Sequence, residues 1–407
     1  MIGSGGREHA LVLALARDPN VEELHAAPGN PGMANLARCH AVDPLDGDAV
    51  AALARELEAE LVVVGPEAPL VAGVADAVRA GGIACFGPSA EAARLEGSKS
   101  FAKDVMAAAG VPTAIARVCA DETEIVAALD AFGPPYVVKD DGLAAGKGVV
   151  VTEDREAALQ HAKQCDRVVI EQYLDGPEVS IFAITDGETV YPLEPAQDFK
   201  RALDGDRGPN TGGMGAYSPL PWAPANLVAD VQARVLEPTV REMARRGTPF
   251  QGLLYAGLAL TKRGVRVVEF NARFGDPETE VLLPRLESAL GVLLLAAAQG
   301  RLDDVEPPRW RDGAAVTVVM AADGYPESPR KGDPITGVDE ADALEGVDVA
   351  HAGTASTDGG LVTAGGRVLA VTAVGANVAD ARARAYAGVD LIDFPGAQHR
   401  TDIAAEA

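Results

Sequence analysis

Two observations predict an α/β protein that opens with a doubly wound parallel sheet. Short apolar runs alternate with Ala/Leu-rich helical stretches over the first hundred residues, and the runs end in Gly/Pro turns. The opening loop, Gly3-Ser4-Gly5-Gly6-Arg7, leads into a helix through residue 16 and turns free backbone N–H groups and a positive helix end toward any anion. Glu8 occupies the third-glycine position of G-x-G-x-x-G, so this is no dinucleotide fingerprint. Only Met1 and Ile2 precede Gly3, and a first strand stunted to two or three residues is expected. Further strands are expected at residues 24–27, 61–64 and 83–86, with helices near 48–58 and 70–79. Their turns, Pro28-Gly29-Asn30-Pro31-Gly32, Gly65-Pro66-Glu67 and Gly87-Pro88-Ser89, fall at carboxyl ends of strands and so face one crevice.

A helix over residues 97–110 carries Lys99 and Lys103 and is stopped by Val111-Pro112. Asp121 followed by Glu124 is a capping-box signature for the next helix. Tyr136-Val137-Val138-Lys139, a glycine-rich turn and Val149-Val150-Val151 form a hairpin, and residues 167–171 another strand; together they fit a small α+β lobe. Two long loops, 197–221 and 271–277, are expected to be functional because loops of that length are uncommon in compact domains. Past residue 311 the pattern suggests hairpins around 365–369 and a helix over 377–386.

Composition narrows the function classes. The chain has 48% hydrophobic and 23% charged residues, which excludes disorder as the main state. Its longest apolar run, residues 290–298, falls well short of the roughly 20 residues of a membrane-spanning helix. With 35 basic and 60 acidic residues, a net charge of −25 disfavours nucleic acid and anionic membranes, so cations for a small anionic ligand must be concentrated locally. Cys39, Cys85, Cys119 and Cys165 contain no C-x-x-C pair and read as buried thiols in a reducing cytoplasm.

Three stretches carry chemistry. Lys139 ends a strand, and Gly142-Leu143-Ala144-Ala145-Gly146-Lys147-Gly148 follows; small residues flanking a lysine let backbone close over phosphates while the ammonium supplies a point charge. In the strand around Val267-Val268-Glu269-Phe270-Asn271, Glu269 and Asn271 share one face, two oxygen ligands at a spacing a hard cation such as Mg²⁺ accepts, and Arg273 continues that face. Asp198-Phe199-Lys200-Arg201 and Gly208-Pro209-Asn210-Thr211-Gly212-Gly213-Met214-Gly215 combine charge with a glycine density that suits close backbone approach or a moving lid. Glu171-Gln172-Tyr173-Leu174, followed by Glu178, reads as a hinge beside an adenine.

Together these residues resemble the glycinamide ribonucleotide synthetase family of the ATP-grasp superfamily over nearly the whole chain. The most specific parts are residues 3–9, 65–70, 95–99, 142–148, 208–219 and 269–280. The resemblance implies a phosphoribosylamine-binding N-terminal domain (1–98), a central ATP-grasp domain (99–111 and 173–310), a small lobe or lid (112–172) and a small α+β C-terminal domain (311–407). It implies ligation of glycine to 5-phosphoribosylamine through glycyl phosphate, with ATP cleaved to ADP and phosphate, in a cytoplasmic monomer. ATP would meet Lys103, Lys139, Lys147, Gly148, Glu171, Leu174 and Glu178; Mg²⁺ (or Mn²⁺) would be held by Glu269 and Asn271. Phosphoribosylamine would meet Gly6, Arg7, Asn30, Gly65 and Glu67, helped by Arg273, Asp276 and Pro277. Asp198, Lys200, Asn210 and Gly213 would close over glycine, and Arg273, Lys147, Asp198 and Lys200 would act in catalysis. Phe199 stands where relatives commonly have His or Tyr, Asp140 where many have Ala, and residues 153–167 form a shortened segment. Another ATP-grasp carboxylate–amine ligase or carboxylase is the alternative.

Overall fold

A computed structural model describes residues 1–143 and 148–407. Strands Arg38–Cys39, His25–Pro28 and Ile2–Gly3 lie parallel in that spatial order, and a parallel bridge from Ile2 to Val64 joins them to Leu61–Val63 and Ala84–Phe86. The result is the expected doubly wound order. The first strand has two residues, and its backbone is nevertheless engaged: Ala27 N donates to Met1 O (2.9 Å), Gly65 N to Ile2 O (3.0 Å) and Gly29 N to Gly3 O (3.2 Å). The helix expected near 70–79 is two helices, Glu67–Val71 and Val74–Ala80, broken at Gly73, whose φ of +85° takes the chain through the left-handed region. The stretch 97–110 likewise starts afresh at Lys99–Ala109, with Ser98 Oγ capping Phe101 N.

In the small lobe, Ala116–Cys119, Val168–Glu171, Tyr136–Asp140 and Val149–Thr152 form an antiparallel sheet in that order. Helices Glu122–Phe132 and Arg155–Ala162 bury Ile125, Leu129 and Leu159 against it. Asp121 caps Glu124 N at 2.9 Å, while the Glu124 carboxylate reaches back to Ala120 N, one residue before the cap. The central sheet runs Val190–Pro192, Glu178–Thr185, Gly252–Thr261, Gly264–Asn271, all antiparallel. Phe182, Phe274, Leu11 and Phe86 share one core, which seats the opening helix, Gly6–Ala16, on this sheet.

Residues 197–221 are not the loop that was expected. Gln197–Asp198 and Gly215–Ser218 are strands of a five-stranded sheet completed by Ala314–Ala321, Arg367–Gly375 and Val347–His351, under helix Val378–Val389. Between them Arg201–Leu203 and Arg207–Asn210 make a hairpin that turns at Gly205, φ +67°. Strands of two to four residues are too short to show alternation, and their turn glycines hid them. The cysteine expectation also needs correction. All four thiols are free, but Cys39 is exposed on an edge strand and Cys165 half-buried; only Cys85 and Cys119 are buried. Among the described residues no helix is long and apolar enough to cross a membrane.

Candidate active site

One cavity of about 480 Å³ takes its walls from every unit of the fold. At one end stand lysines. Lys103, on the helix after the N-terminal sheet, and Lys139, at the end of a lobe strand, both place Nζ 3.0 Å from the two oxygens of the buried Glu171 carboxylate. Lys103 also donates to Thr113 Oγ1 (2.8 Å) and Lys139 to Val268 O (3.0 Å), so each ammonium links the lobe and the central unit. Burial pulls the pKa of Lys103 down, partly offset by Glu171, and does the same to Lys99, whose Nζ donates to Gly142 O. Glu171 was expected beside an adenine; here its side chain bridges the two lysines, while Gln172, Tyr173 and Leu174 line the cavity next to it. Gly148 lines this end too, and Lys147 lies outside the described residues.

At the middle, Glu269 and Asn271 project from one face of Gly264–Asn271, as their spacing requires. Glu269 packs over Gly257 of the neighbouring strand, where a Cβ would come within 3.3 Å of its side chain. Burial pushes the Glu269 carboxyl up, but Lys200, Lys139, Lys99 and Arg273 outweigh it and hold the group below the ordinary range. An ionised carboxylate beside an amide oxygen fits a divalent cation. Among the described residues no cluster of three or more acidic, His or Cys groups forms a self-sufficient metal site, so oxygens of a bound ligand would be needed to complete a shell begun by Glu269 and Asn271. Across from them Lys200 Nζ lies 2.6 Å from Glu178 Oε2 and 3.8 Å from Asp198 Oδ1. Burial raises Asp198, Lys200 opposes it, and Glu278 and Glu178 add to it, leaving the acid at about 7. Glu278 accepts from Ser180 Oγ (2.9 Å) and Tyr255 Oη (2.7 Å) beneath this floor.

The far end is built from arginines. Arg273 Nη2 meets Glu96 at 3.0 Å and its Nε meets Glu67 at 3.3 Å; burial opposes its charge, but these carboxylates keep it protonated well above the ordinary range. Arg7 pairs with Glu8 and donates to Phe274 O. Arg367 meets Asp276 Oδ1 at 2.9 Å. Arg7, Glu67, Asn210, Asp276 and Arg273 line the cavity. Gly6, Asn30, Gly65, Gly213 and Pro277 do not; they support its wall. Asn30 spends its amide on Ser4 O, His351 O and Met33 N. Gly213 abuts Pro277, and Gly65 abuts Glu8 so closely that a Cβ would lie 2.3 Å from a carboxylate oxygen. The anion expected at the opening helix is in part the chain's own: Glu8 accepts from Gly5 N at 2.7 Å.

Family models described as the N domain, the ATP-grasp (A) domain and the C domain of phosphoribosylglycinamide synthetase match residues 1–96, 97–279 and 315–406. The chain belongs to the phosphoribosylglycinamide synthetase family. A phosphoribosylamine–glycine ligase of Streptomyces coelicolor is 68% identical over 100% of this chain and 98% of the relative. One from Mycobacterium tuberculosis is 56% identical over 100% and 97%. The crystal structure of the Thermotoga maritima phosphoribosylamine–glycine ligase superposes with a TM-score of 0.85 at 35% identity, over 99% of this chain and 98% of that one. A biotin carboxylase domain from Hydrogenobacter thermophilus, at 18% identity and a TM-score of 0.70, shares the fold over 98% of this chain and 90% of its own.

Sequence reading within this synthetase family missed Glu96 on Arg273 and missed Arg367, and it named Glu171 beside the adenine without its contact with the two lysines. Glu96 lies within the 95–99 stretch singled out above, so a signal existed there. Arg367 had none, because only the folded chain brings it to Asp276.

Proposed function

We propose that the chain ligates glycine to 5-phosphoribosylamine, cleaving ATP to ADP and phosphate through glycyl phosphate. The observation that carries this is one continuous cavity with lysines at one end, fixed arginines at the other, and Glu269, Asn271, Asp198 and Lys200 between. ATP fits the lysine end, where Lys103, Lys139 and Lys147 would take over phosphate charge now balanced in part by Glu171, with residues 112–172 as the lid. Mg²⁺ (or Mn²⁺) on Glu269 and Asn271 would neutralise phosphate oxygens. One oxygen of the glycine carboxylate attacks the γ-phosphorus as the bond to ADP breaks, and Lys200 offsets the charge at that point. The amine of phosphoribosylamine, oriented by Arg273 and the loop residues Arg7, Glu67 and Asp276, then attacks the glycyl carbonyl. Phosphate leaves with one glycine oxygen, and we assign the amine's proton to Asp198, whose pKa of about 7 suits a base at neutral pH. Gly6, Asn30, Gly65, Gly213 and Pro277 serve by shaping the wall, Asn210 and Gly148 by lining it. A monomer in the cytoplasm, where four thiols stay free, completes the reading.

The test is ADP release with each substrate omitted in turn. Release should require ATP, the metal and glycine, and become stoichiometric with product only when phosphoribosylamine is present. Turnover indifferent to glycine would refute the assignment.

A further inference from the structure

Strand Arg367–Gly375 belongs to the C-terminal sheet, yet its first side chain reaches the wall of the cavity. Arg367 Nη1 donates to Gly212 O at 2.7 Å and to Asp276 O at 3.0 Å, besides its contact with Asp276 Oδ1. Gly212 lies against the guanidinium so closely that a Cβ would stand 2.9 Å from Cζ. From the same unit, Tyr325 Oη accepts from Gly212 N at 3.0 Å, its ring seated on Gly366. Both backbone polar groups of Gly212 are therefore held by the C-terminal unit.

What flanks Gly212 gives this clamp its reach. Thr211 N and Oγ1 both donate to Lys200 O, at 2.8 and 2.9 Å, and Met214 N donates to Phe199 O at 2.7 Å, so residues 211–214 fix the strand end that carries Asp198 and Lys200. On the other side, Asp276 closes the turn that begins at Arg273, and Gly213 presses on Pro277. We propose that Arg367 is a positioning residue which, with Tyr325, latches residues 211–214 to the 276–277 turn and so keeps the acyl-phosphate end of the cavity in register with the acceptor end. The inference rests on the ligase reading for its consequence: with the latch loose, water adds to the glycyl carbonyl, the bond to phosphate breaks, and ADP and phosphate are released with glycine regenerated and no ligated product.

Two readouts test it. Amide hydrogen exchange over residues 208–215 needs no turnover; Arg367→Met should speed it about tenfold or more, and Tyr325→Phe less. Unchanged exchange overturns the latch whatever the reaction. Next, the ratio of ADP to ligated product, one in the wild type, should rise to about three or more in Arg367→Met, with KM for ATP within about twofold, because water is no longer excluded. Added guanidinium should lower the ratio in Arg367→Ala, a rescue that a merely structural residue would not show. Faster exchange with an unchanged ratio overturns the claim of register. Should Arg367→Met fail to fold, Tyr325→Phe, which deletes one hydroxyl, carries both readouts. If the wild type itself releases ADP without regard to glycine, the ligase reading fails, while the exchange result still decides the latch.

Discussion

Lysines gather at one end of the cavity and arginines at the other, and the two sets are held in opposite ways. Lys103 and Lys139 share a single carboxylate, Glu171, and burial makes the charge on Lys103 and Lys99 easier to lose. Compact ammonium groups on flexible stems suit a polyphosphate that arrives, changes charge and leaves in each cycle. Arg273 has two carboxylates of its own, Glu96 and Glu67, and Arg367 has the Asp276 carboxylate and three backbone carbonyls. Planar guanidinium forks with partners supplied by the fold stay charged and stay put. In the proposed reaction the lysine end would supply exchangeable charge for the nucleotide and the arginine end fixed geometry for the acceptor.

The largest effect should come from disconnecting the two ends at Glu269, which stands between them. Glu269→Gln should lower turnover by about 100-fold or more while circular dichroism stays that of the wild type, and Mn²⁺ binding followed by paramagnetic resonance should depend on nucleotide in the wild type. Near-normal turnover would remove Glu269 from the metal site.

Arg273→Lys comes next. It keeps the charge and loses the fork, so kcat/KM for phosphoribosylamine should fall about 10- to 100-fold. At the lysine end, Lys103→Met should instead raise KM for ATP about tenfold and leave KM for glycine within twofold. If the two variants disturbed the same constants, the contrast between the ends would collapse.

The pH profile sharpens the same contrast. ATP favours the protonated lysines, and burial sets Lys99 and Lys103 below their ordinary 10.5, so ATP affinity should be lost as pH rises while still short of that value. No comparable loss is expected for the acceptor, whose arginines are raised. On the acid side kcat/KM should fall as pH drops through about 7, where Asp198 of the free enzyme takes a proton, and Asp198→Asn should abolish that limb along with most of the rate. A profile flat between pH 6 and 8 in the wild type would exclude Asp198 as the base.

How much of this was legible depended on distance along the chain. Residues 61–64 and 136–139 are short apolar runs between turn signals and gave their strands; Glu269 and Asn271, two apart in a strand, gave their common face. The strands of 197–218 were hidden because each has only two to four residues: Gly215–Ser218 is held by the distant Ala314–Ala321, while Arg201–Leu203 and Arg207–Asn210 pair only with each other across a glycine turn. Lys139 could be named as a phosphate group from its glycine-rich setting and Lys103 from the family resemblance, but nothing local says that Glu171 will meet both. The loops of Asn30 and Gly65 were expected at a crevice because turns at strand ends line one, and the resemblance put both on the substrate; in the structure the Asn30 amide is bonded within the protein and Gly65 packs on Glu8, contacts that no sequence pattern announces.

The smallest effect concerns stability where the N-terminal loop meets the C-terminal sheet. His351 N donates to His9 Nδ1 at 2.7 Å. Burial, with His351 nearby, lowers His9 to about 3, and burial lowers His351 to about 4. Both are neutral when folded and take a proton near 6.5 when unfolded, so their contribution is complete above that value and is lost as pH falls from there toward the folded values. Between pH 7 and 5 the melting temperature should drop by a few degrees, and His9→Gln should lessen the drop. An equal drop in that variant would place the acid sensitivity elsewhere.

The central claim, that the two ends work on one activated glycine, is tested most directly by oxygen transfer. Glycine labelled with ¹⁸O in its carboxylate should deliver one labelled oxygen to inorganic phosphate in every turnover that makes ligated product, since phosphate leaves with the oxygen that attacked ATP. Product formed with unlabelled phosphate would contradict the account.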